Sequence, residues 1–184
     1  EDNPDNPNNP DNPSNPDNPN NPDNPSNPDN PNNPDQPSDS KYMISGIVWN
    51  DKNKNGLRET NEETLSGITV KLFDIETNSI VVVNNDKQIK LTDNNGKYEF
   101  AGISKGKYIV LFEYDTNLYK LTSYKISGGS EELNSDVINK TVNIDGVEKL
   151  VAVTDNINVE KSNIENINMG LIENGMLDLK LNKS

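Results

Sequence analysis

The sequence of 184 residues contains neither cysteine nor histidine. Without cysteine the chain can form no disulfide and has no thiol nucleophile, and without both residues it lacks the usual ligands of zinc. Without histidine it also lacks the side chain that most often acts as a general acid or base near neutral pH. An oxidising compartment permits disulfides but does not require them, so the missing cysteine does not argue for a cytosolic protein.

Proline is missing from every position after Pro37, although the chain has 12 prolines between Pro4 and that residue. They recur at every third position inside a twelve-residue repeat, DNPNNPDNPSNP, that begins at Asp5 and again at Asp17. Residues 1–40 have no apolar side chain other than proline, so burial cannot offset the entropy cost of ordering them. We therefore predict that 1–40 form a disordered, extended linker with polyproline II character.

Positive charge is missing from the same segment. Residues 1–40 carry nine acids and no base, which leaves 21 acids against 17 bases in the rest of the chain. The sequence shows no basic patch for nucleic acid or an anionic membrane and no apolar stretch long enough for membrane insertion. The sparse acids favour solubility over specific binding. An alternative interpretation of the prolines, as a ligand for an SH3-like domain, lacks the flanking basic and apolar anchors.

Convincing helical patterns are also absent. Short apolar runs separated by Asn-Gly, Lys-Gly, Gly-Gly and Asp-Gly turn signals predict a domain of many short strands over residues 41–173. This pattern is typical of an all-β sandwich. The predicted strands are 42–49, 68–75, 79–83, 97–103, 107–114, 137–144, 149–153 and 164–171.

A polar loop follows the first predicted strand and has the spacing of a calcium site. It reads DKNKNGLRETNE, from Asp51 to Glu62. Calcium loops of twelve residues place oxygen donors at positions 1, 3 and 5, a glycine at 6, a main-chain carbonyl at 7 and a glutamate at 12. Both flanks here are predicted strands, so the loop differs from an EF-hand, whose flanks are helices. The alternative is a surface turn rich in Asn, Asp and Gly that binds nothing.

Longer stretches of the chain resemble a known family. GIVWNDKNKNGLRETNEETLSGITVKLFD resembles the opening of the B-repeat (SdrD B-like) domains of staphylococcal serine-aspartate repeat surface proteins, which are related to the collagen-adhesin (Cna) B-type repeats. LTDNNGKYEFAGISKGKYIV, ELNSDV and INMGLIE are similar to later signatures of that family in the same order. The resemblance covers residues 43–173.

The resemblance implies a prealbumin-like, Cna-B-type β-sandwich of about seven strands that is rigidified by bound Ca²⁺. It also implies a position outside the cell, as a stalk or spacer unit of an adhesin on the cell wall of a Gram-positive bacterium. The implied partners are neighbouring domains of the same chain, and we expect a monomer. The ligands that it implies are Asp51, Asn53, Asn55, the carbonyl of Leu57, Glu59 and Glu62, while Asp136 completes this site or belongs to a second one.

Two other classes of function remain beside the stalk. The module could itself bind a host protein or a carbohydrate, although the sequence shows no cluster of exposed aromatic residues. A hydrolase with paired carboxylates is the third class, but the available carboxylates already have metal roles, and no histidine, cysteine or serine-centred elbow supports catalysis. We therefore predict that the chain is not an enzyme.

The end of the chain, NGMLDLKLNKS at 174–184, has the alternation of one more strand. It could be the last strand of the sandwich. Because Asn174-Gly175 separates it from the apparent closing strand, we favour the start of a following domain.

Overall fold

A computed structural model describes residues 40–175 of the chain. The predictions of a disordered linker in the first 39 residues and of a strand in residues 176–184 lie outside this range. Among the residues described, there is no helix that is long and apolar enough to cross a membrane.

The described part of the chain is built from strands joined by turns and loops. Seven of the strands have five residues or more, and the others have only two or three. In chain order they are β1 (Tyr42–Asn50), β2 (Thr69–Asp74), β3 (Ser79–Ile80), β4 (Val82–Val83), β5 (Asp86–Lys87), β6 (Ile89–Leu91), β7 (Lys97–Ile103), β8 (Gly106–Glu113), β9 (Tyr119–Leu121), β10 (Val137–Ile144), β11 (Val147–Thr154), β12 (Ile157–Val159) and β13 (Met169–Glu173).

Two sheets form the sandwich. The smaller has the strand order β7-β1-β13-β9, and the larger has the order β10-β11-β8-β2-β3, with β12 on β8 and β6 on β2. β4 and β5 form a separate hairpin. The alternating apolar residues of both sheets meet in one core, as expected for strands with period-two patterning. This core includes Val48, Leu72, Phe100, Phe112 and Leu171, each fully buried.

β1 and β13 run parallel in the middle of the smaller sheet, with Val48, Trp49 and Asn50 opposite Met169, Gly170 and Leu171. All other strand pairs described are antiparallel. Because β1 is the first strand and β13 the last, the chain enters the sandwich at one end and leaves it at the other. The end of β1 and the end of β13 therefore lie side by side at the exit.

The all-β sandwich predicted from the sequence is confirmed, and the seven longer strands match the expected number. The bounds of the last strand were wrong, because 164–171 is not one continuous strand. Ile164 forms an isolated bridge with Ile44, Asn166 then takes a left-handed φ of 60°, and pairing resumes only at Met169. Four short strands, β5, β6, β9 and β12, were not predicted.

Candidate metal centre

The loop from Asp51 to Glu62 begins where β1 ends and is tied at its base to both neighbouring strands. The Asp51 N–H donates to the Leu171 carbonyl of β13 at 2.7 Å. The Asn50 N–H donates to the Glu63 carbonyl at 2.8 Å, which brings the two ends of the loop together. Asp51 itself is fully buried. The first candidate ligand is therefore part of the sandwich rather than of a mobile tip.

The middle of the loop turns sharply. Lys54 has a φ of 61° and Gly56 a φ of 78°, both in the left-handed region that glycine adopts most easily. A Cβ at Gly56 would also lie 2.8 Å from Ile126 Cδ1. The loop thus turns sharply at the glycine in position 6, and both its conformation and its packing require glycine.

The Asp51 carboxylate organises the first half of the loop. Its Oδ1 accepts the Asn55 N–H at 3.2 Å, and its Oδ2 accepts the Gly56 N–H at 2.8 Å. The Thr122 hydroxyl, just beyond β9, also donates to Asp51 Oδ2. Sequence reasoning missed Thr122, since it lies 71 positions away and belongs to no recognisable motif.

The Glu62 carboxylate closes the loop. Its Oε1 accepts the Lys52 N–H at 3.0 Å, and its Oε2 accepts the Glu59 N–H at 3.1 Å. Position 12 is thereby held against positions 2 and 9, and both oxygens of Glu62 face the interior of the loop.

The side-chain amides of Asn53 and Asn55 converge on Glu59. Their Nδ2 groups donate to the two carboxylate oxygens of Glu59 at 2.6 and 2.8 Å. Their Oδ1 atoms accept the N–H groups of Asn55 and Leu57 at 3.1 and 2.9 Å. The amide donors thus offset the negative charge of Glu59 inside the loop.

The chemistry of this donor set suits a hard cation such as Ca²⁺, which prefers carboxylate, amide and carbonyl oxygens. Three carboxylates and the two candidate amides, those of Asn53 and Asn55, lie on one twelve-residue loop. Within residues 40–175, however, no three Asp or Glu side chains are gathered tightly enough to hold a metal by themselves. A half-turn of the Asn53 and Asn55 amides would present oxygen in place of nitrogen toward Glu59. The same half-turn would give up the bonds that the two Oδ1 atoms accept from the Asn55 and Leu57 N–H groups. The donor set therefore has the chemistry that calcium prefers, but its amides are arranged here for hydrogen bonds within the loop.

The second half of the loop is fastened to the segment that precedes β10. Leu57 forms an isolated antiparallel bridge with Asn134, and the Arg58 N–H donates to the Leu133 carbonyl at 2.9 Å. The loop therefore touches β13, the end of β9 and residues 133–134, three parts of the chain that are distant in sequence.

Asp136 lies apart from this loop. Its carboxylate accepts the Asn168 N–H at 2.8 Å, and its own N–H donates to the Asn168 carbonyl at 2.9 Å. It lines a separate cavity of about 600 Å³, together with Lys125, Gly129, Glu131, Glu132, Asn134 and residues 164–167. Asp136 therefore does not complete the loop in this structure, and its assignment to a second site stays a prediction.

Two observations mark this second cavity as polar and incompletely satisfied. The Asn134 Oδ1 atom is buried without a hydrogen-bond partner, and its residue is only 5% exposed. Burial raises the pKa of the Asp136 carboxyl to about 6, against the hydrogen bond from Asn168 and the positive charge of Lys125. A cation in the cavity would stabilise the charged form of the Asp136 carboxylate.

Several known proteins are similar to this chain. Serine-aspartate repeat-containing protein F of Staphylococcus epidermidis is 35% identical over 96 residues, which are 52% of this chain and 5% of that protein. Serine-aspartate repeat-containing protein D of Staphylococcus aureus is 38% identical over 102 residues, which are 54% of this chain and 7% of that protein. The chain thus spans only a small part of these relatives.

Solved structures that match this chain have lower sequence identity. The major pilin subunit of Bacillus cereus is 16% identical, with a TM-score of 0.36, over 73% of this chain and 30% of the pilin. The minor pilin of Streptococcus agalactiae is 12% identical, with a TM-score of 0.41, over 73% of this chain and 45% of the pilin.

The family model of the SdrD B-like domain matches residues 42–162, so this chain belongs to the SdrD B-like domain family.

Proposed function

We propose that residues 41–173 act as a calcium-rigidified spacer module of a cell-surface protein, in the wall of a Gram-positive bacterium. The parallel pairing of β1 with β13 carries this proposal, because it places the entry and the exit of the chain at opposite ends of the sandwich. A module with this connectivity adds its own length to a stalk. Membership of a family found in serine-aspartate repeat-containing proteins supports a position at the cell surface.

The same pairing suits a module that bears tension. Force applied to the start of β1 and the end of β13 would pull two hydrogen-bonded parallel strands in opposite directions along their length. Their ladder is then loaded in shear, so that several hydrogen bonds must break together. The buried side chains of Val48 and Leu171 add core packing to this ladder.

The calcium loop lies at the exit end of this strand pair. Asp51 is bonded to Leu171, and the Asn50 side chain donates to Glu173 Oε1 at 2.7 Å. The loop thus contacts the last residues of β13, at the end where the chain leaves the sandwich. A stiffened loop would stiffen this junction, and this is the mechanical role that we propose for the ion.

Asp51, Asn53, Asn55, the Leu57 carbonyl, Glu59 and Glu62 would hold the cation, which supplies positive charge to three carboxylates that otherwise repel one another. Backbone N–H groups already orient the carboxylates of Asp51 and Glu62, so these side chains lose less conformational entropy when the ion binds. The Asn53 and Asn55 amides rotate to turn their oxygens inward. This rotation gives up the four hydrogen bonds that the two amides make within the loop, and coordination to the cation would replace them.

Calcium binding would stabilise the folded module by mass action. A ligand that binds only the folded state adds about 2.7 kcal/mol at 100 times its dissociation constant. Sites of extracellular modules commonly have dissociation constants of roughly 10⁻⁴–10⁻³ M, which suits a site with two neutral amides among its ligands. The melting temperature should therefore begin to rise at roughly 0.1–1 mM calcium and keep rising logarithmically above that concentration.

We assign the cavity at Asp136 as a second cation position of the same proposal. The Asp136 carboxylate supplies oxygen donors, and Glu131 and Glu132 on the same cavity add negative charge that outweighs Lys125. Because Asn134 also forms the bridge to Leu57, the two positions share one short segment. Ordering one should therefore support the other.

The first test measures thermal stability and fluorescence of the 184-residue chain in chelator, calcium and magnesium. Trp49 is the only tryptophan, is fully buried and lies two residues before Asp51, so its emission should report ordering of the loop. We expect calcium to raise the melting temperature and shift the emission. Glu62→Gln should remove most of this response, because it removes one of the three carboxylate charges.

Glu63→Gln is the matched control, since the Glu63 side chain is 71% exposed and pairs only with Lys52. It should keep the full calcium response. If the unaltered chain melts at the same temperature with and without millimolar calcium, the loop is a structural turn and the calcium part of the proposal is wrong. The spacer role, which rests on the strand connectivity, would survive that result.

A second test uses the only arginine of the chain, Arg58, at position 8 of the loop. An arginine-specific protease can cut only after this residue, so the rate of cleavage measures how often the loop opens. Calcium should slow cleavage at least tenfold in the unaltered chain and have little effect in Glu62→Gln. Equal rates with and without calcium would contradict the proposed stiffening.

A further inference from the structure

β10 is the outermost strand of the larger sheet and pairs on one side only. All eight of its residues pair with β11 in an unbroken register, from Val137 opposite Thr154 to Ile144 opposite Val147. Within the described range no strand pairs with its other side. Sheet edges are usually protected by proline, bulges or several charges. β10 has no proline and no break in register, and Lys140 is its only charged residue.

The hairpin of β10 and β11 also exposes large apolar side chains. Ile138, Val147 and Leu150 are 48%, 55% and 58% exposed. On the outer face of the same sheet, Leu111, Ile144, Val151 and Val153 form a second apolar cluster, separate from the core between the sheets. The outer face of a solvated antiparallel sheet is normally polar, so this face and its edge are unusually apolar.

We infer that β10 is a pairing surface for β10 of a second copy of this chain. The two strands pair antiparallel, edge to edge, about a two-fold axis at Thr141. The larger sheets of the two copies then join into one continuous sheet. This inference does not depend on calcium or on the spacer role.

The pattern of β10 selects the register. A two-fold axis perpendicular to the sheet keeps side chains of one face on that face, so a pairing centred on Thr141 sets Ile138 against Ile144 and Lys140 against Val142 of the second copy. All residues from 138 to 144 take part in this register. A register centred on Lys140 would set two like charges directly opposite, which is unfavourable.

The register centred on Thr141 covers the exposed side chain of Ile138. Ile138 of each copy meets Ile144 of the other copy on the outer face of the joined sheet, so the contact contains two symmetric Ile–Ile pairs. Val147 and Leu150 lie on β11, one strand behind the new contact, and stay outside it. The self-complementary placement of Ile138 and Ile144 supports a second copy as the partner.

Such a contact is small, because only one strand and its flanking side chains take part. We expect weak association in dilute solution, as for interfaces below the standard size. Copies attached to one surface meet at a much higher effective concentration, which favours weak contacts. The sequence predicted a monomer. We expect that monomer to predominate in dilute solution and to dimerise through β10 only at high local concentration.

The first experiment exploits the absence of native cysteine. Thr141→Cys in the full chain places one thiol at the two-fold axis, where opposite Cα atoms lie about 4.5–5.5 Å apart, within the range of a disulfide. Mild oxidation should convert it to a covalent dimer at least ten times faster than Thr116→Cys, which carries an exposed thiol elsewhere. Equal rates for the two variants would overturn the inference.

The second experiment measures self-association of the unaltered chain by sedimentation equilibrium up to millimolar concentration. Ile138→Lys should weaken dimerisation at least tenfold, whereas Val82→Lys, at a position 56% exposed on another hairpin, should leave it unchanged. Equal melting temperatures would show that both variants fold. A monomer at every concentration would overturn the inference. Slow hydrogen exchange of the β10 amides in the monomer would also overturn it, because another segment would then cover the edge.

Discussion

Thr122 donates its hydroxyl to Asp51, and thereby ties the first position of the candidate calcium loop to the end of β9. Asp51 is fully buried and Thr122 is 6% exposed, so water cannot replace this hydrogen bond. The Thr122 N–H in turn donates to the Gly170 carbonyl of β13 at 3.1 Å. One threonine therefore connects the loop with both strands at the exit of the module.

Thr122→Val should destabilise the protein by about 2 kcal/mol, because it preserves side-chain shape but leaves a buried carboxylate oxygen with one donor fewer. The measurement is urea denaturation in chelator. Thr116→Val, on an exposed turn, should cost little. If both variants unfold at the same urea concentration as the unaltered chain, the Thr122 hydroxyl does not support the loop.

Asp136→Asn should stabilise the protein at pH 7 in chelator by about 1–2 kcal/mol, because burial raises the pKa of the carboxyl from 3.8 to about 6 while partial solvation reduces the effect. The folded state binds the proton more tightly than the unfolded state. Stability of the unaltered chain therefore falls as the pH rises from about 4 to about 6, and is regained as the pH is lowered. The variant should lack this slope, because asparagine still accepts the Asn168 N–H but does not titrate.

Denaturation curves at several pH values would measure this difference. Asp86→Asn, at an exposed position, is the control and should keep the slope of the unaltered chain. If Asp136 binds a cation, calcium should stabilise the unaltered chain more than Asp136→Asn, because the neutral asparagine side chain binds a cation less well. The variant should then no longer be the more stable of the two. A variant less stable than the unaltered chain in chelator at pH 7 would contradict the burial argument.

Gly46→Ala should be severely destabilising. A Cβ at this position of β1 would lie 1.8 Å from the Ile167 carbonyl oxygen, and a backbone atom cannot rotate away as a side chain can. The hydrogen bonds of Ser45 with the Ile164 carbonyl and the Ile167 N–H hold the two segments together. We expect a loss of about 3 kcal/mol or more in thermal or chemical denaturation. Gly175→Ala, where no atom lies within 4 Å of the added Cβ, should be neutral by the same assay.

Asp93→Ala should separate turn chemistry from metal chemistry. Asp93 Oδ1 accepts the N–H groups of Asn95 and Lys97 at 2.8 and 2.9 Å, so it stabilises the turn before β7. Loss of the Asp93 carboxylate should lower the free energy of unfolding by about 1 kcal/mol, as for other side chains that cap backbone N–H groups. The calcium-dependent rise in melting temperature should stay intact. A reduced calcium response in this variant would mean that the turn and the loop are coupled.

The sequence by itself determined the all-β class, the position of most long strands and the turn at Gly56. These features depend on local patterns, since alternation of apolar residues and the need for glycine at a left-handed position are visible along a single stretch of chain. The candidate ligands from Asp51 to Glu62 were predictable for the same reason, because one short loop contains all of them.

Only the tertiary structure decided how distant segments meet. Thr122 joins Asp51 across 71 positions, and Asp136 faces a cavity formed with Asn134 and residues 164–167 instead of the loop. Neither contact has a local signature, since each results from the order in which strands pair in the sheets. The parallel β1–β13 pair and the free edge of β10 are likewise properties of strand order. Spacing along the chain specifies which atoms can bind an ion, whereas packing between the sheets decides which of them meet and what the bound ion would hold together.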